Sequence, residues 1–299
     1  MNAKNIYFKI FEYLLIPSLL LGGCATKVDL PKGYKQITAL PGVELTPATD
    51  PSKGIIAFAH HGDLELILQP KDGPTSRLDE LVRVNFQGND SHPVFSDKWV
   101  YFDHLNENGS TDVYKIEYTD KAAQPILVFP GHHVYSASPT GKVLTTSKDG
   151  TIHIGGQPTP IQGRNPVISE NEKEIVYNLG NKLYKQTIDG KEAKQLSSPP
   201  GSYVDHIWVY SGPYKGQIIA IYKSDKKYDL FAIDPETDKI TRLSNDGRQK
   251  QGISLCDKGR SLLTTLYTGI ATRGDICSYS LTNNTPKEGK GNSNEGLLR

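Results

Sequence analysis

The side chains best suited to chemistry in this sequence are eight histidines: His60, His61, His92, His104, His132, His133, His153 and His206. Neutral imidazole is the commonest protein ligand for transition metals, and it titrates near neutral pH. None of the eight forms the H-x-x-x-H pair that sets two imidazoles on one helical face, so a metal site or polar pocket must be assembled by the fold. A second group is acidic: Asp63, Asp103, Asp112, Asp149, Asp205, Asp225 and Asp229 cluster near turn-forming stretches such as "HHGD" and "KSDKK". A two-carboxylate mechanism needs a pair about 5–10 Å apart. Capping of tight turns accounts for Asp at such places without chemistry. No G-x-S-x-G elbow and no Gly-rich phosphate loop between a strand and a helix occurs, so no catalytic nucleophile and no cofactor is implied.

Whatever positions these residues is built from short strands. The chain has 28 Gly, 19 Pro, 16 Tyr and a single Met, and no stretch of a dozen residues keeps a helical period. Apolar segments recur instead: "IIAF" at Ile55, "WVYF" at Trp99, "VLTT" at Val143, "EIVY" at Glu174, "IIAI" at Ile218 and "SLLT" at Ser261. The steps between them are 44, 44, 31, 44 and 43 residues. Four of the five fall in the window of about 40–45 expected for four-stranded propeller blades, and the short step predicts trimmed loops in one blade. Each is followed by a segment with period two, from "DLELIL" at Asp63 to "DICSYSL" at Asp275, as a strand with one buried face requires. Each is preceded by a strand that runs into a Pro/Ser/Gly turn, as in "HPVFSDK" and "NPVISENEK".

The outermost strands are the telling part. "TSRLDE" at Thr75, "AKQLSS" at Ala193 and "KITRLSN" at Lys239 close their units, yet the unit ending near Leu281 has no such segment after it. A near-copy, "YKQITAL" at Tyr34, stands at the other end of the repeats with no unit before it. It is predicted to pair with the last blade and close the ring, which removes an open sheet edge and an exposed apolar face. The fold class expected is therefore all-β: a six-bladed β-propeller closed by an N-terminal outer strand. Five or seven blades would follow if the short unit at Glu174 were divided differently.

Several turn segments, above all "YSASPTGK" from Tyr135 to Lys142, resemble the S-P-D-G-K element of TolB-type propeller repeats. The resemblance spans roughly residues 34–285 and implies the same fold and an envelope setting. About ten residues separate Cys24 from Tyr34, which leaves no room for the α/β domain that precedes the TolB propeller.

In the repeat register His60 and His104 are equivalent, each five residues into its strand and at the turn to the third strand. His92, His132, His133 and His206 fall where one blade hands over to the next. Both kinds of loop emerge on the same face of an antiparallel blade. His60, His92, His104, His132, His133 and His206, with His61 beside them, are therefore the candidate ligand face at one mouth of the central channel. Propeller enzymes that cleave acidic polysaccharides by elimination resemble this arrangement, with a divalent metal on channel-mouth histidines. Phe58, Tyr101, Phe102, Tyr177, Tyr222 and Tyr267 on second strands, and Tyr114, Tyr184, Phe231 and Tyr279 on third strands, are expected in the core between blades. Cys256 and Cys277 fall on the first and third strands of one blade. One strand, about 10 Å, separates them, so they are expected to stay unbridged unless blade twist brings them together.

The N-terminal end gives the address. Lys4 and Lys9 precede a short apolar run from Tyr13 to Leu21, interrupted by Pro17 and followed by "LGGC". That run is far short of the roughly 20 residues needed to span a bilayer. It has the pattern of a signal peptide, and its last four residues resemble the bacterial lipobox, which implies diacylation (palmitate among the acyl groups) at Cys24. Ala25 at the next position favours an outer membrane, facing the periplasm, in a two-membrane host. The organisation expected is a lipoprotein signal peptide (1–23), a lipidated linker (24–33), the propeller (34–285) and a polar Gly-rich tail (286–299). Loss of Lys4, Lys9 and Glu12 with the signal leaves no net charge, so nothing recruits nucleic acid, and membrane attachment falls to the acyl chains. The expected role is a lipid-anchored scaffold for an envelope protein or a peptidoglycan-associated component. A metal-dependent polysaccharide lyase or hydrolase is the alternative.

Overall fold

The computed structural model describes residues 30–38, 40, 43–50, 53–68, 82–84, 89–120, 123–267 and 274–282. Cys24, the signal segment, the C-terminal tail and "TSRLDE" lie outside the described residues.

Six four-stranded antiparallel sheets make up the described chain. After β1 (Tyr34–Gln36), the first blade runs through β2 (Glu44–Asp50), β3 (Ile55–His60), β4 (Asp63–Leu68) and β5 (Val82–Val84). The second is β6 (Asn89–Ser96), β7 (Trp99–Leu105), β8 (Thr111–Glu117) and β9 (Ile126–Phe129). The third is β10 (His132–Ala137), β11 (Val143–Ser147), β12 (Thr151–Ile154) and β13 (Gln157–Gln162). The fourth is β14 (Arg164–Ile168), β15 (Glu174–Leu179), β16 (Lys182–Thr187) and β17 (Lys194–Gln195). The fifth is β18 (Ser202–Trp208), β19 (Ile218–Ser224), β20 (Lys227–Ile233) and β21 (Ile240–Arg242). The sixth is β22 (Lys250–Cys256), β23 (Ser261–Tyr267) and β24 (Gly274–Ser280), completed by β1.

The ring closes as the sequence predicts. Tyr34, Lys35 and Gln36 pair antiparallel with Tyr279, Ser278 and Cys277. Successive first strands β2, β6, β10, β14, β18 and β22 touch in cyclic order around a central channel, and β22 meets β2. The outer strand of the first blade is Val82–Val84, a few residues beyond the predicted "TSRLDE". The 31-residue step also has its cause. A two-glycine turn, Gly155–Gly156, joins β12 directly to β13, and only Gly163 separates β13 from β14.

Blades adhere through apolar layers, because each sheet has two faces to cover and only its neighbours to cover them. Ile37 and Leu40 of the N-terminal segment join Ile56 and Phe58 of the first blade and Leu263 and Ile276 of the sixth in one cluster. Burying each such side chain contributes about 1.5–3 kcal/mol. Phe58, Phe102, Tyr177, Tyr222 and Tyr279 are buried as expected of inter-blade aromatics. Cys256 ends β22 and Cys277 lies on β24, with β23 between them, and both are free, buried thiols. Burial pushes the Cys256 thiol up to about 12, so it is inert at physiological pH.

Candidate functional site

The structure disperses the histidines among four settings. His60, His104 and His206 are buried within the protein. His60 Nδ1 lies 3.8 Å from Glu65 Oε1. His104 Nδ1 lies 2.8 Å from Asp90 Oδ1; burial raises the Asp90 pKa to about 6, and this contact offsets it only in part. His206 contacts the Tyr203 hydroxyl through Nδ1 and the Val176 carbonyl of the fourth blade through Nε2 at 3.3 Å. Burial lowers its pKa to about 4, so it is a neutral core imidazole. His61 sits exposed in the β3–β4 turn at φ 53°, its ring 4.2 Å from that of His60.

Two other groups remain near solvent. His92 and His133 converge on Asp103, their Nδ1 atoms 3.5 and 3.0 Å from Asp103 Oδ2, while Val134 N donates to Asp103 Oδ1 at 2.7 Å. His132 faces His153 with ring centroids 4.5 Å apart in a rim cleft of the third blade. Of the seven candidates, His92 and His206 line the central channel. Among the described residues no three His, Cys, Asp or Glu side chains gather as a metal site would require. Asp112 and Asp149 serve turns: Asp112 accepts from Gly131 N, and Asp149 from Thr151 N and the Ser147 hydroxyl.

The channel owes its shape to an irregularity that recurs in all six first strands. Each slips register against its neighbour by a bulge. At four of these bulges a residue with positive φ turns the backbone: Thr46 (48°), His92 (50°), Asn165 (49°) and Gly252 (66°). In three the next residue is proline, as in Thr46-Pro47, His92-Pro93 and Asn165-Pro166. Pro cannot donate to a ladder, so it fits where the pairing is already broken. At Gly252 the reason for glycine is also steric, since a Cβ would stand 2.8 Å from the Thr46 Cα of the neighbouring blade.

Hydroxyls of the same strands, and of Tyr210 just beyond β18, tie blade to blade around the channel. Ser96 Oγ donates to Gly141 O at 2.7 Å, Ser136 Oγ to Pro166 O at 2.6 Å, and Tyr210 OH to Ile168 O at 2.7 Å. Thr49 Oγ1 donates to Leu255 O across the closing seam. These groups hold the ring together. What they leave open is a vestibule of about 910 Å³, walled by Val94, Phe95, Tyr135, Ile207 and Trp208 among others. It shares Pro47, Pro93, Val94, Tyr135, Ser136, Val167, Ile207 and Ile253 with a narrower compartment of about 270 Å³. The narrow compartment is the more polar, with His92, Asn165, Asp205, Gln249 and Gln251 on its wall.

Asp205 is the channel acid that the turn reading did not place. It lies within β18, beside the register slip, half-buried in the channel wall. Oδ1 accepts from His206 N at 2.8 Å and Oδ2 from Ile253 N of the sixth blade at 3.2 Å. Burial outweighs these two donors and pushes its pKa up to about 7. The available signal was "VDHIW", an acid inside a first strand rather than beside a turn.

No family model matches the chain, and no curated protein matches it. Solved structures do match in fold. The PQQ-bound aldose sugar dehydrogenase from Streptomyces coelicolor aligns at 13% identity with a TM-score of 0.57, over 83% of this chain and 97% of that one. The calcium-binding protein regucalcin from Agrobacterium tumefaciens aligns at 12% identity and 0.55, over 80% and 90%. A TolB-type protein from Agrobacterium tumefaciens is a distant neighbour, at 11% identity and 0.40 over 79% and 77%. At these identities the likeness shows the fold alone, a six-bladed β-propeller.

Proposed function

We propose that the protein is a lipid-anchored cell-envelope propeller that binds an envelope protein or a peptidoglycan-associated component as a scaffold. The observation that carries this reading is the employment of its chemistry-bearing side chains. Asp103, Ser96, Ser136, Tyr210 and His206 all hold one blade to the next. A fold that commits its polar groups to cohesion offers a rigid ring of loops, which suits recognition across a face. The lipobox-like "LGGC" supplies the anchor in this reading, and Cys24 the acylated residue.

Crosslinking in intact cells followed by mass spectrometry tests it, with Cys24→Ala as the comparison. The expected result is a membrane-fractionating chain with a recurrent envelope crosslink, and a Cys24→Ala variant lost from the membrane fraction. A Cys24→Ala chain that fractionates and crosslinks like the wild type would remove the anchor from the proposal. The lack of any recurrent crosslink would remove the scaffold.

A further inference from the structure

The narrow compartment of the channel poses an electrostatic question that the scaffold role leaves open. Asp205 is half-buried in the channel wall, and a carboxylate held partly out of water is costly when ionised unless a cation or several donors offset it. Asp205 has two backbone N–H donors and, among the described residues, no Lys or Arg paired with it.

The one cation on the same wall is already engaged. Lys250 is fully buried, and its Nζ donates to Tyr228 O at 2.8 Å, Asp246 Oδ1 at 2.6 Å and Arg248 O at 3.1 Å. An ammonium has three N–H donors, and all three are used. His92, on β6 and on the wall of the same compartment, is neutral at pH 7, because the protein around its ring lowers its pKa despite the Asp103 charge. His206 is likewise neutral. Tyr135 on β10 and Tyr203 on β18 lie close enough to feel the Asp205 charge, and burial with that charge keeps both phenols protonated. Arg164 on β14 acts on His133 and Tyr135 rather than on Asp205.

The compartment is thus a polar pocket with one negative charge, aromatic and amide groups beside it, and no countercharge of its own. It opens onto a larger vestibule through shared apolar walls. We propose that the channel binds a primary alkylammonium group, its ammonium on the Asp205 carboxylate and its alkyl stem against Val167, Ile207 and Ile253. An ammonium brings the missing charge and N–H donors for the carboxylate and the amide oxygens nearby, and tyrosine faces favour a cation over a neutral group. Carboxylate or phosphate ligands would meet Asp205 as a like charge. The inference holds whether or not the chain is anchored and whether or not it has a protein partner.

The test is calorimetric titration of the purified full chain with n-butylammonium, with n-butanol as the neutral isostere. Saturable one-to-one binding of the amine, at least tenfold tighter than the alcohol, is expected. With Asp205 titrating at about 7, wild-type affinity for the amine should rise about tenfold from pH 6 to pH 8, as the carboxylate ionises. Asp205→Asn, which keeps one acceptor oxygen and gives up the other, should still fold, bind the amine at least tenfold more weakly and lose the pH dependence. His92 titrates below its ordinary range, so any residual dependence in that variant should lie at the acid end. No saturable binding, equal binding of the alcohol, or full affinity in Asp205→Asn would overturn the proposal. If the variant does not fold, a wild-type affinity flat between pH 6 and 8 overturns it equally.

Discussion

Two seams of the ring are held in different ways. Between the second and third blades the chain is continuous, running from β9 through Pro130 and Gly131 into β10. The apolar contact there is a small cluster of four buried valines, Val94, Val113, Val134 and Val143. Much of the rest is polar: Asp103 with Val134 N and two histidines, and Ser96 with Gly141 O. Between the sixth and first blades the ring is closed from the opposite end of the chain. There the sequence supplies a strap. Ile37 N and Thr38 N donate to Ile276 O, Ile276 N donates to Thr38 Oγ1, and Gln36 Nε2 donates to Asp275 Oδ2 at 3.1 Å. Ile37 and Leu40 are buried to within 1% of their surface, and Thr265 Oγ1 donates to Glu44 O. A connected seam reforms after local opening because its loop keeps the blades together, whereas the closing seam must overcome the entropy of a loop of some 240 residues. More apolar burial at the seam with less covalent help is the arrangement that physics asks for.

The strongest way to break this contrast is to empty the strap. Ile37→Ala combined with Leu40→Ala should cost about 4 kcal/mol or more, since single truncations of this kind cost roughly 2–5 and neighbouring sites do not simply add. That corresponds to a fall of about 10 °C in Tm for a domain of this size. Val134→Ala at the connected seam should cost less than half as much. Urea denaturation of the three chains decides it, and equal losses would mean that continuity contributes nothing.

Glycines offer a second, smaller comparison. Gly252 and Gly131 both have positive φ, 66° and 73°. A Cβ on Gly252 meets backbone of the first blade at 2.8 Å, whereas one on Gly131 meets nothing within 4 Å. Gly131→Ala should therefore carry the left-handed strain alone, about 1–2 kcal/mol, and Gly252→Ala clearly more. A Gly252→Ala chain as stable as Gly131→Ala would show that the closing seam yields without cost.

Charge separates the seams by pH. Burial, and then the neighbouring Asp275 carboxylate, push the Glu44 pKa up to about 8. The unfolded chain releases that proton near its ordinary value, so the folded state binds more protons between about 4.5 and 8. Glu44 therefore contributes stability that is complete at acid pH and fades as pH rises through about 8. Glu44→Gln should flatten the fall in stability between pH 5 and 9, an effect on the order of 1–3 kcal/mol. Tm measured across that range checks it, and an unchanged slope would remove Glu44 from the account.

Legibility followed the same divide. The strap was readable because a strand that pairs at one end of the chain and is missing at the other leaves a count that does not balance. "YKQITAL" and the bare end after Leu281 are complementary in sequence alone. The blade spacing was readable for a similar reason, since period two and Pro/Gly turns are local features. The histidine positions along the chain were legible too, at strand ends and handovers, but not the direction of each ring. On β7 Phe102 and His104 point one way and Asp103 the other, so a single residue decides between a buried interface and the next blade. The channel's chemistry was hidden further. The bulges shift register by one residue, and a one-residue shift turns Asp205 from an ordinary strand acid into a channel-facing one.

The smallest expected effect tests the polar side of the comparison. The hydrogen bond that the His133 ring donates to Asp103 raises the His133 pKa above its ordinary value, against the lowering effect of burial. A raised imidazole contributes stability that is complete below about 6.5 and is lost as pH climbs through the folded value. The His133 side chain is 46% exposed, so solvent screens the pair and its worth is a few tenths to about 1 kcal/mol. Asp103→Asn keeps an oxygen for Val134 N and removes the charge. In that variant the His133 titration followed by NMR should move to lower pH, and the stability difference from wild type should be larger at pH 5.5 than at pH 8. An unmoved titration would mean that His133 is placed by packing rather than by Asp103. The connected seam would then resemble the closing one, held by burial on both sides of the ring.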